Sequence, residues 1–104
     1  MSTLERLQAT IAARMSASPE ESYVAKLNSK GIAKIAQKVG EEATETVIAA
    51  LSGSDEELVG ESADLLFHLT VLLQAKGITL DQVMTELDRR EGVSGLDEKA
   101  SRSQ

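Results

Sequence analysis

The chain has 104 residues, of which 41% are hydrophobic, only 2% are aromatic and none is cysteine. This length predicts one small domain, and the lack of cysteine excludes disulfide bonds and thiolate metal sites and fits a cytoplasmic protein. A formal net charge of −6 disfavours binding to nucleic-acid backbones and to anionic membrane surfaces, and the N-terminus lacks a signal-peptide pattern.

Five helical segments are predicted along a single domain of residues 1–90, and residues 91–104 are predicted to form a mobile tail. The first segment, residues 3–17, has apolar side chains at every third or fourth position. The second is predicted to start at Ser18, because a capping serine followed by proline and then Glu21 is typical of a helix start. It should end near Ser29.

The third segment, residues 32–51, repeats its apolar positions with the 3.6-residue period of a helix. The fourth is capped by Ser54 and should end near Lys76, and the fifth is capped by Thr79 and should end near Arg90. Short connections and the lack of a strand pattern predict an all-α, antiparallel helical bundle.

The fourth helix is apolar nearly all round from residue 58 to residue 73. A helix of this kind is buried on more than one side, so we expect a homodimer in which it meets a partner surface. The alternative is that neighbouring helices of the same chain cover it. Its densest apolar stretch, from Leu65 to Leu73, is interrupted by His68 and Thr70 and is too short to span a bilayer.

Two acidic motifs lie on the third and fourth predicted helices. Glu42 and Glu45 form an ExxE motif, and Glu61 and Asp64 form an ExxD motif after fifteen intervening residues. Residues three apart share one face of a helix, so two facing helices can bring the four carboxylates together. Oxygen ligands of this kind suit a hard cation, so we predict a site for Mg²⁺, or Mn²⁺ as a substitute, that serves phosphate chemistry.

The same flank of the third helix also carries Lys34, Lys38 and Glu41. The alternative to a metal site is a solvated face on which Lys38 pairs with Glu41 and Glu42, each pair contributing a few tenths of a kcal/mol. The mutual repulsion of Glu41, Glu42 and Glu45, with no compensating cation, argues against that alternative. Lys34 and Lys38 are candidate substrate contacts on this flank.

Two ring-bearing side chains are further candidates for a role in function. Tyr23, with Lys26 and Lys30 nearby in the sequence, is a candidate contact for a nucleotide. His68 lies one helical turn beyond Asp64, and we interpret it as a core histidine that is hydrogen-bonded to Asp64 or to a backbone carbonyl. Its alternative role is that of a metal ligand or a catalytic base.

The acidic motifs resemble the ExxE…ExxD signature of the all-α nucleoside triphosphate pyrophosphohydrolases, the MazG-like superfamily. More narrowly, the strings SYVAKL at 22–27, KIAQKVGEEA at 34–43 and ADLLFHL at 63–69 resemble the phosphoribosyl-ATP pyrophosphohydrolase family of histidine biosynthesis. The resemblance covers residues 4 to 90 approximately.

The resemblance implies metal-dependent hydrolysis of 1-(5-phosphoribosyl)-ATP to 1-(5-phosphoribosyl)-AMP and pyrophosphate. It implies that Lys38 lies near the phosphates and that the general base is Glu41 or Glu45, and it leaves open whether the α or the β phosphorus is attacked. The implied metal ligands are Glu42, Glu45, Glu61 and Asp64.

Two other functions remain open at this point. One is a housecleaning pyrophosphohydrolase of the same superfamily that acts on a free or damaged nucleoside triphosphate. The other is a non-catalytic helical module whose only role is dimerisation.

Overall fold

The computed structural model describes residues 1–91, and over that range it contains five α-helices and no β-strand. The all-α architecture with five helices is thus confirmed. The tail predicted for 91–104 lies outside the described residues, apart from Glu91. The helices are α1 (Thr3–Arg14), α2 (Tyr23–Ser29), α3 (Ile32–Ser52), α4 (Asp55–Ala75) and α5 (Leu80–Arg90).

Side-chain caps start four of these helices. Ser54 and Thr79 begin α4 and α5 with complete capping boxes, as their sequence patterns predict. Ser2 and Ser22 begin α1 and α2, each by accepting a hydrogen bond from the backbone N–H three residues later. The sequence therefore determines these helix starts locally, by satisfying N–H groups that have no partner within the helix.

The predicted start of the second helix at Ser18 is wrong. The backbone N–H groups of Glu21 and Ser22 both bond to the Ser18 carbonyl, at 3.0 and 3.1 Å, which makes a turn. The Ser18 hydroxyl donates to the Glu20 carboxylate instead of accepting from a backbone N–H. The helix therefore starts at Tyr23. The first helix is also shorter than predicted and ends at Arg14.

The core lies where α1, α2 and α3 meet the C-terminal half of α4. Its buried members are Ile11, Val24, Leu27, Ile35 and Val71, and Leu7, Met15, Phe67, Leu72 and Ala75 pack against them. Among all pairs of helices, α3 and α4 pack against each other most extensively. This α3–α4 pair forms the frame that carries both acidic motifs.

By length and composition alone, α4 could cross a membrane, because it has 21 residues and a mean hydropathy of 1.2 over its most apolar window. The dense stretch from Leu65 to Leu73 is too short by itself, but it is only part of this longer helix. A mostly buried core helix of a soluble protein meets the same criterion, but only 17% of this window is buried within the described residues. In this fold α4 packs along α3 and contributes Val71 and His68 to the interior.

Several large apolar side chains of α3 and α4 are exposed. Leu51 is 82% exposed and Val59 is 70% exposed, so no helix in residues 1–91 covers these side chains. We refer to the set as the α3–α4 apolar face. Its members are Val47, Ile48, Leu51, Val59, Leu66 and Leu69.

Candidate metal centre and substrate site

Three of the four predicted metal ligands lie together where α3 faces α4. Glu42 and Glu45 on α3 and Glu61 on α4 each place one carboxylate oxygen within 4.8 Å of the others. Glu42 is buried, Glu61 is half-buried and Glu45 is exposed. We call this set the acidic cluster. It opens to solvent on the side of Glu45, from which a cation and its water ligands can enter.

Two oxygens of the acidic cluster are buried without a hydrogen-bond partner among the described residues. They are Oε2 of Glu42 and Oε2 of Glu61. Burying a carboxylate oxygen without a partner is unfavourable, because the oxygen loses its hydration and gains nothing in exchange. A divalent cation bound between the two helices would supply the missing partner to both oxygens, so the residues present fit Mg²⁺.

The acidic cluster also perturbs the protonation of its own members. A hydrogen bond with Glu45 raises the pKa of Glu61 to about 7, with further contributions from burial and from the negative charges of Glu45, Glu42 and Asp64. Glu61 therefore retains a proton well above the usual range of a carboxyl group. A bound cation would replace that proton and remove the repulsion that retains it.

Asp64 is the predicted ligand that the structure does not place within the acidic cluster. It lies one turn after Glu61 on α4, it is exposed, and its carboxylate falls outside the set of oxygens within 4.8 Å of one another. Its negative charge still contributes to the raised pKa of Glu61. Asp64 therefore borders the acidic cluster, and its role as a ligand stays a prediction.

Lys38 on α3 contacts both Glu42 of the acidic cluster and the neighbouring Glu41. Its Nζ lies 3.4 Å from Oε1 of Glu41 and 3.7 Å from Oε1 of Glu42. Burial lowers the pKa of Lys38, but the hydrogen bond to Glu41 and the charges of Glu41 and Glu42 outweigh burial, so the pKa of Lys38 is raised overall. The ion pairs of a solvated face are present, yet they leave Oε2 of Glu42 without a partner.

Glu41 is not a member of the acidic cluster. Its Oε2 accepts a hydrogen bond from Nε2 of Gln37 at 2.7 Å, and this bond, together with Lys38, lowers the pKa of Glu41. A lowered pKa makes Glu41 a weaker base. Of the two predicted general bases, Glu45 is the one that lies within the acidic cluster.

A hydrogen-bonded chain connects α2 to α4 beside the acidic cluster. His68 is buried, and its Nδ1 lies 2.7 Å from the backbone carbonyl of Asp64. A carbonyl only accepts, so Nδ1 carries the hydrogen and Nε2 of the neutral ring is an acceptor. The Tyr23 hydroxyl, 2.7 Å from Nε2, therefore donates to His68. Burial raises the pKa of Tyr23, which helps to keep its proton in place.

These hydrogen bonds confirm the interpretation of His68 as a core histidine bonded to a backbone carbonyl. Its bond to Tyr23 was missed from the sequence, because the two residues are 45 positions apart and neither carries a local pattern that pairs them. The aromatic ring of Phe67 also packs near both, with ring centroids 6.2 Å from Tyr23 and 5.3 Å from His68. The Tyr23 side chain is thus held in place although the residue is half exposed.

A cavity of about 270 Å³ lies between α2 and the N-terminal part of α3, and Lys38 is one of its lining residues. It brings together the predicted substrate contacts Lys34, Lys38 and Tyr23, and adds two more lysines. We call it the lysine cavity. Its lining residues are Tyr23, Lys26, Leu27, Lys30, Lys34, Lys38 and Glu41.

Comparison with known proteins gives one consistent result. The sequence profile described as "Phosphoribosyl-ATP pyrophosphohydrolase" matches residues 4–91. The chain is 76% identical over 102 residues to a phosphoribosyl-ATP pyrophosphatase of Erythrobacter litoralis, an alignment that covers 98% of each chain. It is 68% identical to the protein of that name from Novosphingobium aromaticivorans, over 96% of this chain and 94% of the relative. The corresponding identity for Rhizorhabdus wittichii is 61%, with the same coverage.

Proposed function

The chain belongs to the phosphoribosyl-ATP pyrophosphohydrolase family, and from this membership we infer that it is an enzyme that hydrolyses 1-(5-phosphoribosyl)-ATP to 1-(5-phosphoribosyl)-AMP and pyrophosphate, the second step of histidine biosynthesis. The match over residues 4–91 is the observation that carries this conclusion. It favours this activity over that of a housecleaning pyrophosphohydrolase and over a non-catalytic module.

We propose that the acidic cluster holds Mg²⁺, or Mn²⁺ as a substitute, through Glu42, Glu45 and Glu61, with Asp64 as a further ligand. The support is the pair of buried oxygens without partners and the proton retained by Glu61. When bound, such a cation offsets the charge of phosphate oxygens and lowers the pKa of a coordinated water.

The side chains around the acidic cluster have separate tasks in this proposal. Lys38 holds Glu42 in place through its 3.7 Å contact and adds positive charge beside the leaving pyrophosphate. Glu45, exposed and facing solvent, accepts the proton of the attacking water on its carboxylate. Glu41 is the alternative base, although its lowered pKa makes it the weaker one.

Tyr23 and Lys34 contact the substrate from the lysine cavity. The hydroxyl proton of Tyr23 is engaged by His68, so its half-exposed ring is the part that remains for a nucleotide base. His68 serves as a positioning residue in this arrangement, because its two ring nitrogens are engaged by Tyr23 and by the backbone carbonyl of Asp64.

We propose that a second copy of the chain covers the α3–α4 apolar face, giving a homodimer. Six large apolar residues on two adjacent helices are exposed, and association with a second copy would remove apolar side chains from water. The net charge of −6 favours a protein partner over an anionic membrane as the occupant. We place the enzyme in the cytoplasm, where a soluble biosynthetic activity without cysteines fits.

Substrate profiling tests the proposed activity against its nearest rival. With saturating Mg²⁺, kcat/KM for phosphoribosyl-ATP should exceed that for dCTP, dUTP or dATP. Glu56→Gln, an exposed carboxylate in the first turn of α4, is a matched control that should retain activity. Faster turnover of any free deoxynucleotide than of phosphoribosyl-ATP would assign the chain to the housecleaning enzymes instead.

A further inference from the structure

Four lysines spaced four residues apart surround the lysine cavity. Lys26 and Lys30 extend from α2 and its C-terminal cap, and Lys34 and Lys38 extend from the first two turns of α3. The whole chain has 11 basic residues against 17 acidic ones. A concentration of basic side chains around one cavity of an acidic protein is typical of an anion site.

Within the part of the chain that the structure describes, three of these lysines form no ion pair. Within residues 1–91, Lys38 pairs with Glu41 and Glu42, whereas Lys26, Lys30 and Lys34 lie within 4.0 Å of no carboxylate and form no side-chain hydrogen bond. Glu41 is near enough to Lys34 for the lysine charge to lower the pKa of Glu41, but the Glu41 carboxylate is bonded to Gln37 and Lys38. The positive charge of the three lysines is therefore available to a ligand.

The lysine cavity adjoins the acidic cluster through a shared residue. Lys38 lines the cavity, and its Nζ also lies 3.7 Å from a carboxylate oxygen of Glu42. One ligand can therefore lie across both sites. Its anionic group at the acidic cluster needs a cation as a bridge, whereas an anionic group in the lysine cavity binds ammonium groups directly.

Phosphoribosyl-ATP is a ligand with two such anionic ends, because its triphosphate and the 5′-phosphate of its phosphoribosyl group lie on opposite sides of the adenine. A cavity of about 270 Å³ is slightly smaller than those that enclose a whole drug-sized molecule. It is of a suitable size for a ribose phosphate.

We propose that the lysine cavity binds the 5′-phosphate of the phosphoribosyl group, with Lys26 and Lys30 as its direct contacts, so that this cavity distinguishes phosphoribosyl-ATP from ATP. The proposal rests on the proposed function, since it deepens the substrate recognition of that same reaction. Lys38, which reaches the acidic cluster, remains with the triphosphate.

Product binding tests the proposal without requiring turnover. Phosphoribosyl-AMP carries the 5′-phosphate in question but no pyrophosphate, whereas AMP lacks the phosphoribosyl group. Calorimetric titration of Lys26→Ala, Lys30→Ala and the double variant should show the affinity for phosphoribosyl-AMP reduced by about tenfold per lysine, since charge-assisted hydrogen bonds are lost. The affinity for AMP should stay within about twofold of the unsubstituted protein.

Lys76→Ala is the matched control, because this substitution removes the same charge at another place. Lys76 is exposed at the end of α4 and belongs neither to the lysine cavity nor to the acidic cluster. Its affinity for phosphoribosyl-AMP should be unchanged. Steady-state assays of Lys30→Ala should show a raised KM for phosphoribosyl-ATP with kcat largely retained, and inhibition by pyrophosphate should be unaltered.

Two results would overturn the proposal. If Lys30→Ala weakens inhibition by pyrophosphate but leaves phosphoribosyl-AMP affinity intact, the cavity binds the leaving group instead. If neither changes, the lysines bind no part of the substrate. A failure of the proposed function is distinguishable from both, because it would show as intact phosphoribosyl-ATP with the unsubstituted protein.

Discussion

Glu45 on α3 and Glu61 on α4 each place a carboxylate oxygen within 4.8 Å of the other, and hydrogen bonding to Glu45 is the main cause that raises the pKa of Glu61 to about 7. Two ionised carboxylates this close repel each other, so a proton or a cation between them is favoured. The fold therefore brings together carboxylates that repel one another when no cation is present. That arrangement favours ligand binding over stability of the metal-free chain.

The stabilisation of the protein by Mg²⁺ should increase with pH through neutrality. The folded-state pKa of Glu61 is raised, so its contribution to metal-free stability is complete below about pH 4.5 and is lost as pH rises through about 7. Mg²⁺ displaces that proton, so the Mg²⁺-induced increase in Tm should be larger at about pH 8 than at about pH 6. Thermal unfolding at each pH, with and without Mg²⁺, measures the metal-free Tm and the increase that Mg²⁺ causes.

Glu61→Gln is the control for this pH dependence, because the amide carries no titrating proton at the same place. The variant should lose most of the Mg²⁺-induced increase in Tm at either pH. Equal Mg²⁺-induced shifts at about pH 6 and about pH 8 in the unsubstituted protein would contradict the assignment of Glu61 as a ligand.

Glu45→Gln should lower kcat by at least about a hundredfold in saturating Mg²⁺, because it removes both a predicted ligand and the predicted base. The side chain is exposed, so the helical content measured by circular dichroism should be retained. Activity within about threefold of the unsubstituted protein would show that Glu45 serves neither purpose. Glu56→Gln again provides the control for loss of one surface carboxylate.

Tyr23 and His68 should be energetically coupled. Replacing Tyr23 by Phe removes a donor and leaves Nε2 of a buried ring unpaired, which costs about 1 kcal/mol in the free energy of unfolding. His68→Phe removes the acceptor. A double-mutant cycle by urea denaturation should give a coupling free energy of about 1 kcal/mol, whereas additivity within about 0.4 kcal/mol would show that the bond contributes little.

The α3–α4 apolar face should control the oligomeric state. Sedimentation should give twice the monomer mass of 11.1 kDa for the unsubstituted protein and the monomer mass for Leu51→Asp and Val59→Asp. Leu87→Asp is a matched control, because Leu87 is a similarly exposed leucine on α5. A stable monomer without any substitution, or a dimer that survives both substitutions, would contradict the proposed interface.

Local patterns in the sequence predicted the features that depend on helix geometry. The capping residues Ser54 and Thr79 predicted the starts of α4 and α5. The three-residue spacing of the acids predicted that Glu42, Glu45 and Glu61 meet where two helices face each other. The start pattern at Ser18 failed because the same residues also suit a turn, and only the Ser22 cap decides between the two.

Features that depend on contact between distant segments could not be predicted from the sequence. Tyr23 bonds to His68 across 45 positions, and no spacing rule pairs them. The lysine cavity forms because Gly31, with φ of +94°, adopts a conformation that favours glycine and joins α2 to α3 in a short connection. This short connection brings Lys26 of α2 and Lys34 of α3 to the same cavity.

Phosphorus NMR of phosphoribosyl-ATP in oxygen-18 water tests the central claim most directly, namely that the acidic cluster holds a divalent cation for hydrolysis of this substrate. We predict phosphoribosyl-AMP and pyrophosphate as products in Mg²⁺, with one oxygen-18 in the product of the attacked phosphorus. No reaction should occur with EDTA, and Glu42→Gln should lower the rate by orders of magnitude. Turnover that persists undiminished under chelation, or in Glu42→Gln, would contradict the account.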